Sequence, residues 1–476
     1  MAQKFITVVI SVVFYIAGGC AVGPDYKRPQ TTVPAAFKEA GDWKVAEPKD
    51  GAVHSAWWRD FGDQTLDKLE LQLEVSNQSL HAAEAQYRQA RALVRAARSA
   101  FFPTIGVQGA VTRSEGSIGN AASTDNKVIN TYGASADLNW ELDLWGRIRR
   151  GSEAARASAQ AGAADLAGAR LSLQAELATD YFNLRIVDAQ KKLLERTVAA
   201  YEETVRLTQN RYDAGVVMRS DVVQAQVQLK SAQAQLIDVS ADRAQLEHAI
   251  ALLLGKPPSD FSLASVEAEI ALPATPQTVP SDLLEQRPDI AGAERRVASA
   301  NAQIGVARSA YFPQLTLSGS GGYRNTVFAD LFSLPSRIWS VGPALAETLF
   351  DGDARRAESE RTKAAYDESV AQYRQTVLTG FQEVEDNLAA LRILADEAQI
   401  ESEAVDLARE SVRLITNQYK AGTVAYIDVV NLQATLYTNE RTALALQGRR
   451  ITAHINLVKA LGGGWNQTQA PVVSAN

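Results

Sequence analysis

The sequence predicts a mainly α-helical fold with a small β part, built from two copies of one unit. Residues 206–229 (RLTQNRYDAGVVMRSDVVQAQVQL) and 413–436 (RLITNQYKAGTVAYIDVVNLQATL) align without a gap and match at half of their positions. Each half also contains a proline-free helical stretch of more than sixty residues, preceded by segments in which apolar and polar residues alternate. A duplication of this kind favours one internally repeated domain over several different domains in 476 residues.

Each copy of the repeat predicts a tight turn between two antiparallel helices. Gly215 and Gly422 suit the left-handed conformation that ends a helix. Asp221 and Asp428 fall where the next helix begins, and a carboxylate there caps free N–H groups and complements the helix dipole. The chain therefore has two similar turns, called the tip turns below.

The first twenty residues are typical of a signal peptide. Lys4 precedes an apolar run at 5–17 that is too short to span a bilayer, followed by Gly18-Gly19 and the only cysteine, Cys20. A single cysteine cannot form an internal disulfide, so Cys20 is either a buried thiol or a modified residue. The segment resembles a bacterial lipobox, although Ala17 stands where leucine is usual. The resemblance implies a signal peptide at 1–19, a lipidated Cys20 and an address at the outer membrane, since Ala21 is not the aspartate of inner-membrane lipoproteins.

The remaining segments follow one order twice. An extended arm anchored by aromatic residues is predicted at 20–62, before the first repeat at 63–256. This repeat has a helix, two strands at 103–113 and 132–145, a long helix at 147–212, a tip turn and a shorter helix. A linker at 257–280 leads to the second repeat at 281–462, with strands at 313–323 and 338–350 and a long helix at 353–419. Residues 463–476 are predicted to form a loose tail.

The four strands indicate an assembly if they lie in a membrane. In 132–145, Leu138, Trp140 and Leu142 alternate with polar, mostly acidic residues, which suits a transmembrane β-barrel but also a half-buried soluble hairpin. Four strands cannot close a barrel, and hydrocarbon does not tolerate open edges. Several chains must then share one barrel, with the long helices forming a coiled-coil assembly below it. These patterns do not choose between two, three and four chains.

Catalytic and nucleic-acid-binding functions find little support. The net charge of −7 argues against a nucleic-acid surface. The four histidines are scattered without metal-site spacing, and no phosphate loop, nucleophile elbow or Cys–His pair is present. We expect no enzyme activity, no metal and no cofactor other than a covalent lipid on Cys20.

Several motifs together resemble the outer-membrane factor (TolC-like) family, in its lipoprotein branch. They are the lipobox, Gly23-Pro24-Asp25-Tyr26, Trp57-Trp58 with Phe61-Gly62-Asp63, the Phe-Pro pairs at 102–103 and 312–313, Arg287-Pro288-Asp289-Ile290, and the two tip turns. The resemblance implies a homotrimer with a twelve-stranded outer-membrane β-barrel and a long periplasmic α-helical barrel. It also implies a passive channel that works with a periplasmic adaptor and an inner-membrane transporter in drug efflux. A duct for protein export and a lipid-anchored coiled-coil scaffold without a pore are the alternatives.

The family also implies a closed periplasmic end ringed by aspartates. Asp428 matches such an aspartate and Tyr419 its bracing tyrosine, with Asp221 and Tyr212 as counterparts in the first half. Repeated carboxylates at a narrow mouth favour cations; simple helix capping is the alternative role. Two residues depart from the pattern that the resemblance implies: Asn431 replaces a second aspartate, and Val424 replaces a bracing arginine for which Arg219 could substitute. Gly215 and Gly422 mark the tips that are expected to contact the adaptor.

Two arginine pairs, Arg149-Arg150 and Arg355-Arg356, begin the long helices just beyond the strands. Cations at a helix N-terminus oppose the dipole. They are expected either to meet lipid head groups or to lie on a solvated face.

Overall fold

The computed structural model describes residues 21–32, 34, 36–40, 56–117, 126–266, 272–273 and 286–464. The predicted signal peptide and the predicted lipid site at Cys20 lie outside these residues. So do half of the predicted linker and all but the first two residues of the predicted tail.

Seven α-helices and four strands form the described part of the chain. In chain order they are α1 (Gln64–Ser76), α2 (Gln78–Ser99), β1 (Thr104–Ser117), β2 (Asn126–Leu142), α3 (Arg147–Asp213), α4 (Arg219–Leu253), α5 (Pro288–Ser309), β3 (Gln314–Asn325), β4 (Arg337–Ala346), α6 (Ala354–Lys420) and α7 (Tyr426–Ala460).

The two long helices are equal in length. α3 and α6 each have 67 residues, and α4 and α7 each have 35. At ~1.5 Å per residue, a helix of this length is a rod of about 100 Å. Buried Leu194, Tyr201 and Thr208 recur every seventh residue along the lower part of α3, as a coiled-coil seam requires. The predicted long rods are therefore present.

The helices and the sheet form layers of four. Near the sheet, α3 packs against α2 and α5, and α5 packs against α6; near the tips, α3 packs against α4 and α7, and α7 against α6. The helical order is thus α2–α3–α5–α6 above and α4–α3–α7–α6 below. Each layer has one free side from the first half of the chain and one from the second.

The sheet repeats this arrangement with the order β1–β2–β3–β4, antiparallel throughout. β2 pairs with β3 from Leu142↔Leu315 to Tyr132↔Asn325, so the ladder joins the two halves. β1 and β4 are edge strands, because the hydrogen bonds of their outer sides have no partner in this four-stranded sheet.

All eight strand limits differ from the sequence prediction, by one to six residues, and two of these differences have a clear cause. β2 begins at Asn126, earlier than predicted, because β1 continues to Ser117 and supplies partners. β4 ends at Ala346 and not at Phe350, because its partner strand begins at Gln314, directly after Pro313, which has no N–H to donate.

The sequence predicts one helix before the first strand, and this prediction is wrong because the chain breaks at Asn77. Asn77 has an extended backbone, and its side-chain oxygen accepts from the Leu80 N–H at 2.8 Å while its amide donates to Leu253 O at 2.7 Å. Asn77 is therefore the N-cap of α2 and ties it to the end of α4.

The described residues of the arm before residue 41 pack along α3, α5 and α6. Val22 N–H donates to Trp145 O at 3.0 Å, at the junction of β2 and α3. Asp25 pairs with Arg150 at 2.8 Å, and the Phe37 ring meets Phe381 at 6.4 Å, well along α6. The arm thus begins beside the sheet and ends near the middle of the rod.

The apolar core lies where the arm and the shorter helices surround the long ones. One cluster gathers Trp57 and Trp58 with Leu66, Tyr181 and Ile455, and a second gathers residues of α5, α6 and α7. Burial of the two tryptophans provides the aromatic anchoring that was predicted for the arm.

Candidate functional site

Both tip turns are Schellman motifs. Gly215 has φ +73° and Gly422 has φ +79°, the left-handed conformation that glycine adopts without steric cost. In the first turn Gly215 N–H donates to Tyr212 O and Val216 N–H to Arg211 O, both at 2.8 Å. This hydrogen-bond pattern satisfies the last carbonyls of α3 and turns the chain into α4.

Asp221 and Asp428 stand in the first turn of α4 and α7, at the third helical residue. The N-cap positions are Met218 and Ala425, which make no side-chain cap. The side-chain capping considered for the two aspartates is therefore wrong for this part of the chain. Their charges still complement the positive ends of the helix dipoles.

The two turns are not equivalent, although the repeat makes Tyr212 and Tyr419 counterparts. Tyr212 is 36% exposed, whereas Tyr419 is 3% exposed. Tyr419 packs at 5.5 Å from the ring of Tyr426, in an apolar cluster that also takes in Ala225 of α4. The second turn is thus packed against the first, and Tyr419 is the central contact.

The environment of this cluster is apolar, with the carboxylate of Asp221 nearby. The pKa of Tyr426 is raised above its usual range, first by burial and then by the nearby Tyr419, Tyr201 and Asp221. Asp221 is half-buried and faces this cluster, whereas Asp428 is exposed.

Arg211 makes a contact that the sequence did not predict. Its Nη1 donates to the carbonyl oxygen of Tyr419 at 2.7 Å, and its guanidinium carbon lies 4.5 Å from the centre of the Tyr419 ring. In the repeat alignment Arg211 corresponds to Gln418, so this difference between the copies was the available signal.

The remaining tip residues lie around this contact. Arg219 is exposed as the first residue of α4, and Asn431 is exposed on α7. Val424 is half-buried and packs against the Tyr419 cluster.

Neither role expected for the arginine pairs fits Arg150, which is buried and paired with Asp25 and Glu153.

Asp143 accepts from the backbone N–H groups of Ile148 at 3.0 Å and Arg149 at 2.8 Å, and so caps α3. Asp351 pairs with Arg355 at 2.5 Å in the second half. These aspartates offset the unfavourable cations at the helix starts. Arg356 is exposed beside Glu360.

Within the described ranges, no helix is both long enough and apolar enough to cross a membrane. The same ranges contain no group of three or more His, Cys, Asp or Glu side chains that could hold a metal ion.

The model of the family described as outer membrane efflux protein matches residues 71–256 and 279–463, one range in each half. The chain belongs to this family. The resemblance inferred from the motifs is therefore confirmed, and with it the expected location in the outer membrane and a role in efflux.

Several relatives of this efflux protein match along nearly their whole length. The solvent efflux pump outer membrane protein SrpC of Pseudomonas putida is 32% identical over 462 residues, covering 95% of this chain and 97% of SrpC. The probable efflux pump outer membrane protein TtgC of Pseudomonas putida is 29% identical, with 96% and 95% covered. The probable outer membrane lipoprotein SilC of Salmonella typhimurium is 27% identical, with 96% and 98% covered.

Solved structures share the fold. The outer-membrane channel OprN matches with a TM-score of 0.87 at 29% identity, covering 94% of this chain and 100% of OprN. The open state of the Neisseria gonorrhoeae MtrE outer membrane channel matches with a TM-score of 0.83 at 28% identity, covering 94% and 99%. The predicted fold class, mainly helical with a small sheet, is confirmed at this level. A strandless coiled-coil scaffold is at odds with the four-stranded sheet.

Proposed function

We propose that three copies of this efflux protein form one continuous channel through the outer membrane, with a β-barrel of twelve strands above and an α-helical barrel below. The proposal rests on one observation: the four-stranded sheet and both groups of four helices each have two edge elements with a free outer side. An edge from the first half can meet an edge from the second half of the next copy, which is the head-to-tail contact that closes rings. Closure pairs the strands β1 and β4, which hydrocarbon requires.

Exposed apolar residues along the helical edges support the same closure. On α6, Ile393, Ile400, Leu407 and Leu414 recur every seventh residue, and each is between 48% and 69% exposed. On the opposite edge, α4 exposes Val223, Val227 and Ile237. A heptad stripe of this kind requires a partner helix, and the free side of α4 in the next copy supplies one.

A lipid on Cys20 suits the path of the arm. Ala21, the residue that follows the proposed lipid site, lies against Gly146 at the junction of β2 and α3, where the sheet gives way to the helices. A lipid attached there would enter the membrane beside the barrel.

We assign the periplasmic gate to the tip turns. Three copies would bring six carboxylates, from Asp221 and Asp428, to one mouth, where they favour cations and oppose anions. Arg219, exposed on α4, remains a candidate brace toward the next copy, and Asn431 makes the ring less acidic than two aspartates per turn would. The tips at Gly215 and Gly422 are the surfaces that we assign to a periplasmic adaptor, which in turn joins an inner-membrane transporter.

The cargo is a small toxic compound such as an organic solvent or a drug. SrpC is named for solvent efflux, and related Pseudomonas putida proteins are named for toluene and antibiotic efflux. The channel itself is passive in this proposal, and the transporter supplies the energy.

Single-channel conductance in planar bilayers tests the proposal. We compare the wild type with Asp221→Ala/Asp428→Ala, and with Asp238→Ala as a control for loss of an exposed acid elsewhere on α4. We expect a small cation-selective conductance that rises in the double variant and stays unchanged in the control. Equal, large conductance in all three would keep the channel but remove the gating role of the aspartates. A stable assembly without conductance would overturn the channel.

A further inference from the structure

We propose that Arg211 is the positioning residue that holds the second tip turn against the first, so that opening of the periplasmic mouth requires its release from Tyr419. This inference rests on the proposed channel function. It makes one side chain responsible for holding the tip closed.

The geometry places two different attractions on one guanidinium. Nη1 of Arg211 donates to Tyr419 O at 2.7 Å, and the guanidinium lies over the Tyr419 ring at 4.5 Å. The planar group can do both at once, because its edge carries the N–H donors and its face is free to stack.

The accepting carbonyl belongs to the last turn of α6, which ends at Lys420. Carbonyls at a helix C-terminus carry partial negative charge, so a cation there is favourable. The same Tyr419 oxygen accepts from the Gly422 N–H at 3.0 Å within the turn. Arg211 therefore binds the point at which the second hairpin reverses direction.

The contact is made by only one of the two repeats. The position equivalent to Arg211 in the second half is Gln418, which has no charge and no guanidinium plane. The α6–α7 turn therefore cannot hold the next copy's α3–α4 turn by the same means. The bond within a chain is consequently different from any bond between chains at the mouth.

Apart from Arg211, apolar packing holds the Tyr419 side chain. Its hydroxyl is buried and has no hydrogen-bond partner among the described residues. Loss of the guanidinium removes the charged contact while the apolar cluster around Tyr426 remains.

The test uses the full-length assembly in detergent and in planar bilayers. The variants are Arg211→Met and Arg211→Lys, with Arg206→Met as the matched control, because Arg206 is an exposed cation on the same helix. Hydrogen exchange of peptides covering 415–426 reports release of the turn. Resting conductance reports the gate, and the melting temperature reports general damage.

We expect Arg211→Met to speed exchange in 415–426 by about tenfold, the effect of losing one charge-assisted hydrogen bond, and to raise resting conductance at an unchanged melting temperature. Arg211→Lys should recover part of both changes, since lysine can donate to the carbonyl but cannot stack as a plane. Arg206→Met should behave as the wild type.

Unchanged hydrogen exchange in Arg211→Met would overturn the inference. Faster exchange with unchanged resting conductance would also overturn it, provided that Asp221→Ala/Asp428→Ala raises the conductance of the same channel. Channels that are silent in every variant while exchange is faster would instead contradict the proposed channel function and leave the Arg211 contact supported.

Discussion

At the scale of single residues, the tip turns separate what a repeat can predict from what it cannot. The positive φ of Gly215 and Gly422 followed from the sequence, because a backbone conformation is set by local residues. The difference between Tyr212 and Tyr419 did not follow, because burial depends on which neighbour covers each turn. Arg211 was overlooked for the same reason: its partner is far away in the chain, and no local pattern names it.

His454 provides a residue-scale prediction about pH. It is buried beside Phe61, with ring centres 5.6 Å apart, and its Nδ1 has no hydrogen-bond partner among the described residues. Burial lowers the pKa of His454 to about 4, against a small opposing effect of Asp60. The unfolded chain therefore takes up a proton on this residue between pH 6.5 and 4 that the folded chain does not.

Above about pH 6.5 we expect His454 to leave the free energy of unfolding unaffected. As the pH falls from 6.5 toward 4, we expect this residue to lower the free energy of unfolding by on the order of 3 kcal/mol. Melting temperatures across this range should fall less steeply for His454→Gln than for the wild type, while exposed His81→Gln serves as control. Parallel curves for His454→Gln and the wild type would contradict the burial of an uncharged imidazole.

At the scale of elements, long helices and strand alternation were predictable, but interruptions were not. The two 67-residue helices have no proline and a sustained heptad pattern, and both signals are local. The break at Asn77 has no proline or glycine to mark it. It exists because the amide of Asn77 reaches Leu253 O, a partner supplied by α4.

Asn77→Ala should destabilise the protein by about 2 kcal/mol, because it removes the cap of α2 and leaves Leu253 O without its donor. Gln78→Ala is the matched control, since Gln78 is the exposed neighbour and its side-chain bond to Ser76 O lies at the surface. Denaturant midpoints of the purified assembly measure the difference. Equal midpoints for both variants would show that the break does not depend on this side chain.

At the scale of the whole molecule, the number of strands predicted an assembly if they lie in a membrane, but it did not count the copies. The layers define which elements lie at the edges of one chain: β1, α2 and α4 on one side, and β4 and α6 on the other. The sequence could not give this order, because the lateral neighbours of α3 come from both halves of the chain.

Ile400→Ser/Leu407→Ser should abolish or weaken trimer formation, because two exposed heptad residues of α6 lose their apolar surface. Ile400→Val/Leu407→Met keeps that surface and should assemble as the wild type. Sedimentation in detergent distinguishes trimer from monomer. A full yield of trimer from the serine variant would place the contact between copies elsewhere.

The contact between Arg211 and Tyr419, which joins the two tip turns, has a consequence for symmetry. A duplicated chain repeated three times resembles a six-fold object, but Arg211 stands at only one of the two kinds of turn-to-turn seam. The six seams around the mouth would therefore alternate between two chemistries. Any protein that encircles this end must either present two kinds of contact in alternation or tolerate a poorer fit at every second seam. The mouth should then dilate as three units and not as six.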